Sequence, residues 1–209
     1  MTEERAPAGV GPTLPPTARG LRTREKLVHA ARLAFEGKGY LDVSVHDIAS
    51  RAKVAYGTFY TYFSSKEEIF EEVVQDLVRD FRAVTNTEPH AHEPVESIER
   101  ANRGYLRAYR ANARMMAILE QVATFSPRLA AVRRAARRHW VERNEAAIAR
   151  WQREGLVDDR LDPYYAASAL GSMVDRSAYV WLVLGEPYEE EKAVAQLTRL
   201  YCNALGMSD

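Results

Sequence analysis

Between Ala55 and Phe63 this 209-residue chain places five hydroxyl-bearing side chains, Tyr56, Thr58, Tyr60, Thr61 and Tyr62, around a single glycine, Gly57. Without a base or carboxylate beside them such hydroxyls are poor nucleophiles, but they donate and accept hydrogen bonds well. At helical spacing Phe59 and Phe63 take the inner side, so Tyr56, Gly57, Tyr60 and Thr61 point outward, flanked by Thr58. A helix face with few charges, room for close approach and several hydroxyls suits the major groove of DNA. Lys66 follows at the start of the next helix, where an ammonium meets phosphate.

Such a face works only if the elements around it hold it outward. Val45, Ile48, Ala49 and Ala52 form the apolar side of a short preceding helix, and Val54 fills the corner between the two. Ser44, with Asp47 three residues on, reads as its cap, close to a capping box. Upstream, Thr23 is expected to cap a first helix that carries Leu27, Ala30, Ala31 and Ala34 on one side and ends at Gly37 and Gly39. Downstream, Ser64 or Ser65 caps a long fourth helix, and Glu67 and Glu68 in its first turn suit the helix dipole.

The string Val54 to Glu68, V-A-Y-G-T-F-Y-T-Y-F-S-S-K-E-E, resembles the DNA-binding domain of the tetracycline-repressor-type (TetR) regulators, and the likeness extends from about Arg22 to Val74. Two positions depart from the family's usual choices. Lys53 stands in the turn where glycine is typical, which implies a non-glycine residue in the left-handed region. Ala55 and Tyr56 stand where serine and lysine are common, which bears on base preference rather than on binding mode. The resemblance implies an all-α, nine-helix protein: a disordered arm over residues 1–18, a three-helix helix-turn-helix domain over 19–66, and an effector-binding and dimerisation domain over 67–209. The family's DNA-contacting positions carry over to Ser44, His46, Tyr56, Gly57, Thr58, Tyr60, Tyr62 and Lys66. Among these, His46 and Tyr56 are the long outward side chains suited to base edges, while Ser44, Thr58, Tyr60 and Lys66 suit phosphates.

Composition agrees with that reading. The formal net charge is zero, yet residues 19–66 carry nine basic side chains against four acidic ones, a local excess of five. Phosphate contacts of this kind are salt-sensitive. A hydrophobic share of 46% supports a buried core. No apolar run reaches the roughly 18 residues of a membrane helix, and the Pro- and Gly-rich N-terminus lacks a signal core, so a cytoplasmic protein is expected. The lone Cys202 fits a reducing compartment. Catalysis finds no support. Gly9-Val10-Gly11 is followed by proline rather than by a phosphate-cradling loop, and no G-x-S-x-G or H-E-x-x-H occurs. His90 and His92 lack the carboxylates or cysteines that would complete a metal site. Neither an enzyme nor a cofactor is implied.

Past a Pro-containing break at 84–96 the helical patterns lengthen: about 97–111, 113–123, a long helix from Ser126-Pro127 to near Gly155, helix eight from Asp162-Pro163 to about Leu184, and helix nine from Glu189 to Gly206. Polar residues interrupt their apolar runs, the general form of a ligand pocket. The candidates for binding a small, largely apolar or amphipathic effector are Met116, Glu120, Trp140, Asn144, Met173, Arg176 and Tyr179. The arginine run from Arg128 to Arg143 reads as a solvated face, with an anionic effector such as an acyl-coenzyme A thioester as the alternative. Helices eight and nine, rich in Ala166, Ala167, Ala169, Gly171 and Ala178 beside Tyr179, Val180 and Leu182, are expected to pair with a second copy. The resemblance adds a four-helix bundle at that interface. The DNA expected is then double-stranded, with an inverted repeat matching the two-fold homodimer.

Overall fold

The computed structural model describes residues 17–85 and 93–207, and among these it contains eight α-helices and no strand. They are α1 (Ala18–Lys38), α2 (Val45–Arg51), α3 (Tyr56–Tyr62), α4 (Lys66–Thr85), α5 (Pro94–Ala123), α6 (Pro127–Arg153), α7 (Pro163–Leu182) and α8 (Glu190–Ala204). His90, His92 and the first sixteen residues lie outside the described residues.

The helix count is one lower than expected because the two helices placed at 97–111 and 113–123 are a single helix of 30 residues. The side chain of Asn112, at the supposed break, is buried and donates to the carbonyl of Ala108 at 2.8 Å, within the helix. With neither Pro nor Gly nearby, nothing interrupts the backbone ladder. The α7 and α8 of the structure are thus the helices eight and nine of the sequence pattern.

Caps account for most of the other ends. Thr17, not Thr23, caps α1, its hydroxyl accepting from Gly20 N at 3.0 Å, while the Thr23 hydroxyl donates to Arg19 O inside the helix. Gly39, at φ 82°, ends α1 in a conformation that a side chain would oppose. Ser126 caps α6 by accepting from Leu129 N at 3.2 Å, and Asp162 caps α7 by accepting from Tyr164 N at 2.9 Å, each with Pro in the first turn.

The chain divides into two compact units between Val74 and Gln75, inside α4. In the first, Leu27, Ala31, Phe35, Ile48, Phe59 and Phe70 are fully buried. Phe35 meets Phe70 edge-on at 5.0 Å, and Tyr40 meets Phe70 at 4.9 Å. In the second, α5 packs against α6, α7 and α8, and α6 against α7. Leu106, Tyr109, Ile148, Ala167, Val174 and Val194 lie in its core, with the free thiol of Cys202 buried beside them. No described helix is long and apolar enough to cross a membrane.

Candidate nucleic-acid interface and effector cavity

The turn between α2 and α3 is set by three local devices. Ser44 and Asp47 form the full capping box, with Asp47 N donating to Ser44 Oγ at 3.1 Å and Ser44 N donating to Asp47 Oδ2 at 2.9 Å. Lys38 Nζ adds a 2.7 Å ion pair, and with the Ser44 hydroxyl it holds the Asp47 carboxyl well below the usual carboxylate range. Lys53 then takes φ 56°, the left-handed conformation anticipated from its place in the turn. Val54 N donates back to Ala49 O at 3.0 Å, closing the corner.

On α3 Phe59 is fully buried, whereas Tyr56 and Tyr60 are 52% and 45% exposed, large apolar rings left in water. Their hydroxyls meet at 3.0 Å and their rings at 5.4 Å, and the ring of His46 on α2 lies 6.4 Å from that of Tyr56. The hydrogen bond with Tyr56 raises the pKa of the exposed Tyr60 phenol. Between these rings sits Gly57, exposed, with nothing within 4 Å of where a β-carbon would stand. Its φ is not positive, so no turn requires glycine there. Gly57 is the second residue of α3, and glycine in a helix costs up to about 1 kcal/mol relative to alanine. Nothing among the described residues requires glycine at this position.

The other carried-over positions divide. His46 and Thr58 lie beside this face, His46 exposed and Thr58 partly so. Tyr62 is half-buried and its hydroxyl reaches toward Gly20 of α1, 3.7 Å from where a β-carbon there would stand. Ser44 spends its one donor on the carboxylate of Asp47, so it caps α2 rather than donating to phosphate. Lys66 departs furthest from expectation. Its Nζ donates to the carbonyls of Tyr40 at 2.9 Å, Leu41 at 3.3 Å and Val43 at 2.8 Å, and lies 4.6 Å from the Tyr40 ring centroid. An ammonium has three protons. All three point at the loop between α1 and α2, and burial pushes its pKa down. Of the other cations, Arg24 pairs with both carboxylate oxygens of Glu72, at 2.9 and 2.8 Å, and Arg32 with Glu36 at 3.0 Å. Arg19, Arg22, Lys26, Arg51 and Lys53 are exposed. The Arg32–Glu36 pair follows from i,i+4 spacing within α1, whereas the partner of Arg24 comes from α4 and is not legible in the sequence.

The second unit encloses a cavity of about 190 Å³ walled by parts of α4, α5, α6, α7 and α8. Four predicted effector residues line it, namely Met116, Glu120, Trp140 and Asn144. Glu120 pairs with Arg133, and Asn144 donates to Trp140 O at 2.8 Å. Met173, Arg176 and Tyr179 do not line it; α7 turns Gly171, Val174 and Asp175 inward, and the Arg176 guanidinium lies 4.5 Å over the Tyr179 ring instead. Gly171 is indispensable here, since a β-carbon on it would stand 1.7 Å from the Trp140 indole. It serves this packing, not a dimer contact, and Ala167 and Ala178 are likewise fully buried. Sequence reading missed Ser97, Arg143 and Phe81 as lining residues, and it left Tyr105, Asp175 and Trp151 out of the site. The Tyr105 hydroxyl donates to Asp175 Oδ1 at 2.5 Å; burial first, then that carboxylate, raises its pKa well above that of an ordinary phenol. Among the described residues no group of His, Cys, Asp and Glu could hold a metal ion.

Residues 27–73 match the family described as bacterial regulatory proteins, tetR family. An uncharacterized HTH-type transcriptional regulator of Mycobacterium tuberculosis is 47% identical over 64 residues, 31% of this chain and 30% of that protein, so the chain spans under a third of this relative's length in the match. The HTH-type transcriptional regulator EthR of Mycolicibacterium smegmatis is 24% identical over 200 residues, covering 90% of this chain and 92% of that one. Among solved structures, SmeT, the repressor of the Stenotrophomonas maltophilia multidrug efflux pump SmeDEF, has the same fold, with a TM-score of 0.72 at 21% identity over 89% of this chain and 91% of that one. The matched segment contains α2, the strained turn and α3 in full, the part of the molecule where Gly57 is left exposed between two tyrosines. Residues 27–73 thus carry the DNA-binding segment of the bacterial regulatory proteins of the tetR family, and the relatives named here are transcriptional regulators.

Proposed function

We propose that the protein is a cytoplasmic, ligand-responsive repressor that binds an inverted-repeat operator as a homodimer and is released by a small, largely apolar molecule. The observation that carries the DNA half is Gly57, which has no internal reason to be glycine and sits between the exposed Tyr56 and Tyr60. In this reading α3 enters the major groove, His46 and Tyr56 meet base edges, and Thr58 and Tyr60 meet phosphates. Lys66 and Ser44 act one step back, by fixing the loop and the helix start. One recognition helix reads few base pairs, so a dimer with half-sites about 34–36 Å apart, or a multiple, supplies the rest.

The release half rests on the cavity of the second unit. Its volume of about 190 Å³ is below the roughly 300–1,000 Å³ of sites that enclose drug-sized ligands, which favours a small molecule over an acyl-coenzyme A thioester. The arginine run agrees: Arg133 is spent on Glu120 and Arg137 on the Ser168 and Ser172 hydroxyls at 2.9 and 3.0 Å. Repression is supported by the likeness in fold to SmeT, a repressor. A coupling of about 1–3 kcal/mol would lower DNA affinity about 5- to 150-fold when the ligand binds.

Gly57→Ala separates folding from recognition. The variant is expected to unfold at a higher temperature, gaining up to about 1 kcal/mol, while its DNA affinity falls about 10-fold through the added methyl in the groove. Thermal melts and fluorescence anisotropy on operator DNA selected from random sequence measure both. A variant that gains stability and binds DNA as well as the parent removes α3 from the interface.

A further inference from the structure

The cavity of the second unit has an uneven polarity. Its two lining carboxylates are answered from within: Glu120 pairs with Arg133, and Asp175 accepts from the Tyr105 hydroxyl at 2.5 Å. Its donors are not all answered. The indole N–H of Trp151 and the hydroxyl of Ser97 are buried, their residues only 4% and 9% exposed, and neither has a hydrogen-bond partner among the described residues. An indole N–H is a donor only. A buried donor left unmet costs roughly 1–3 kcal/mol, so two on one small cavity mark a place where an acceptor belongs.

Charge points the same way. Arg82, Arg100, Arg133, Arg137 and Arg143 line the cavity against Glu120 and Asp175, and although Arg133 pairs with Glu120, Arg100 with Glu96 and Arg137 with the Ser168 and Ser172 hydroxyls, the lining keeps an excess of positive charge. Arg143 is half-buried near Tyr201, and burial lowers its pKa. The remaining wall is apolar and ringed, with Phe81, Tyr105, Trp140 and Trp151 presenting aromatic surface. At about 190 Å³ the space is somewhat larger than a 150 Å³ cavity that accepts benzene, which suits one ring with a short substituent.

We infer that the cavity takes a small aryl carboxylate, its ring among the aromatic side chains and its carboxylate received by the Trp151 N–H, the Ser97 hydroxyl and the positive charge of Arg143. This deepens the effector reading given above and rests on it. A neutral alcohol of the same shape would satisfy the donors but bring no negative charge to a positive lining, and an amine would offer a cation to a positive site.

Isothermal titration of the full chain with 3-phenylpropanoate, 3-phenylpropanol and 3-phenylpropylamine tests the head group on one skeleton. The acid should bind at least about 10-fold more tightly than the alcohol, and the amine least. Trp151→Phe keeps the ring and removes the N–H, and Ser97→Ala keeps the helix. Each should weaken the acid about 10-fold, as for a hydrogen bond to a charged group, and move the alcohol less. Amine or alcohol binding as tightly as the acid overturns the inference, as does an equal loss for acid and alcohol in Trp151→Phe, or no binding by any of the three. Operator titration separates this from the regulatory reading. If the acid binds tightly and DNA affinity stays unchanged, the head group stands and ligand-driven release falls. If the neutral or cationic member binds and releases DNA, release stands and the carboxylate falls.

Discussion

The type of a side chain and its job come apart most clearly at Lys66. As a lysine opening a helix beside a basic segment it reads as a phosphate ligand, yet all three of its protons serve the carbonyls of Tyr40, Leu41 and Val43. Only coordinates disclose this, because the acceptors lie 23 to 26 residues away and are backbone atoms. The consequence is measurable. Lys66→Ala should destabilise the protein to denaturant by about 1–3 kcal/mol, the cost of leaving part-buried carbonyls unmet. The salt dependence of whatever DNA binding survives should keep the parental slope, whereas loss of a true phosphate contact would reduce it by about one unit. A slope reduced by one with unchanged stability would return Lys66 to the phosphates. Gly57, in contrast, lies exposed on α3, on the outward side that the helical spacing gave it.

At the scale of elements, what the sequence announced were starts rather than faces. Ser44, Ser126-Pro127 and Asp162-Pro163 each pair a capping side chain with a good first turn, and α2, α6 and α7 begin there. The continuous α5 was hidden because a buried asparagine looks like a break until its amide is seen bonding one turn back to Ala108. Half of the effector wall was hidden for a different reason. α7 carries small or apolar residues on both sides, so period alone cannot say that Gly171, Val174 and Asp175 turn inward while Met173, Arg176 and Tyr179 do not. Trp140 settles the matter by lying where a β-carbon at 171 would be. Gly171→Ala should therefore force the indole aside, at a cost of about 1–3 kcal/mol for overpacking, and weaken ligand binding to the cavity. Calorimetric titration with 3-phenylpropanoate and urea unfolding measure the two effects; a variant with parental stability would mean that Trp140 swings away freely.

For the whole molecule the open surface matters. With Ala167, Gly171 and Ala178 turned inward, the apolar area that α7 and α8 still present consists of residues such as Tyr165, 71% exposed, and Leu200, 53% exposed. Self-association through these helices is the proposal that makes DNA recognition two-fold. Leu200→Glu places a like charge against its own symmetry mate, so light scattering should give the monomer mass with helical circular dichroism unchanged. Operator affinity should then fall at least about 100-fold, because one half-site alone must hold the protein. A dimer of normal affinity in that variant would move the interface to another face.

The three tryptophans, at 140, 151 and 181, all belong to the second unit, and the first has tyrosines but no indole. Two of the three line the cavity, while Trp181 stacks flat on Tyr188 at 5.4 Å and 2°. Excited near 295 nm, the protein is thus a self-labelled sensor whose emission originates entirely outside the DNA-binding unit. A ligand alters it by entering the cavity. Operator DNA, which has no indole at its own binding surface to perturb, alters it only if the occupancy of one unit is felt in the other, so the coupling that defines a regulator can be read from the unmodified chain by its colour.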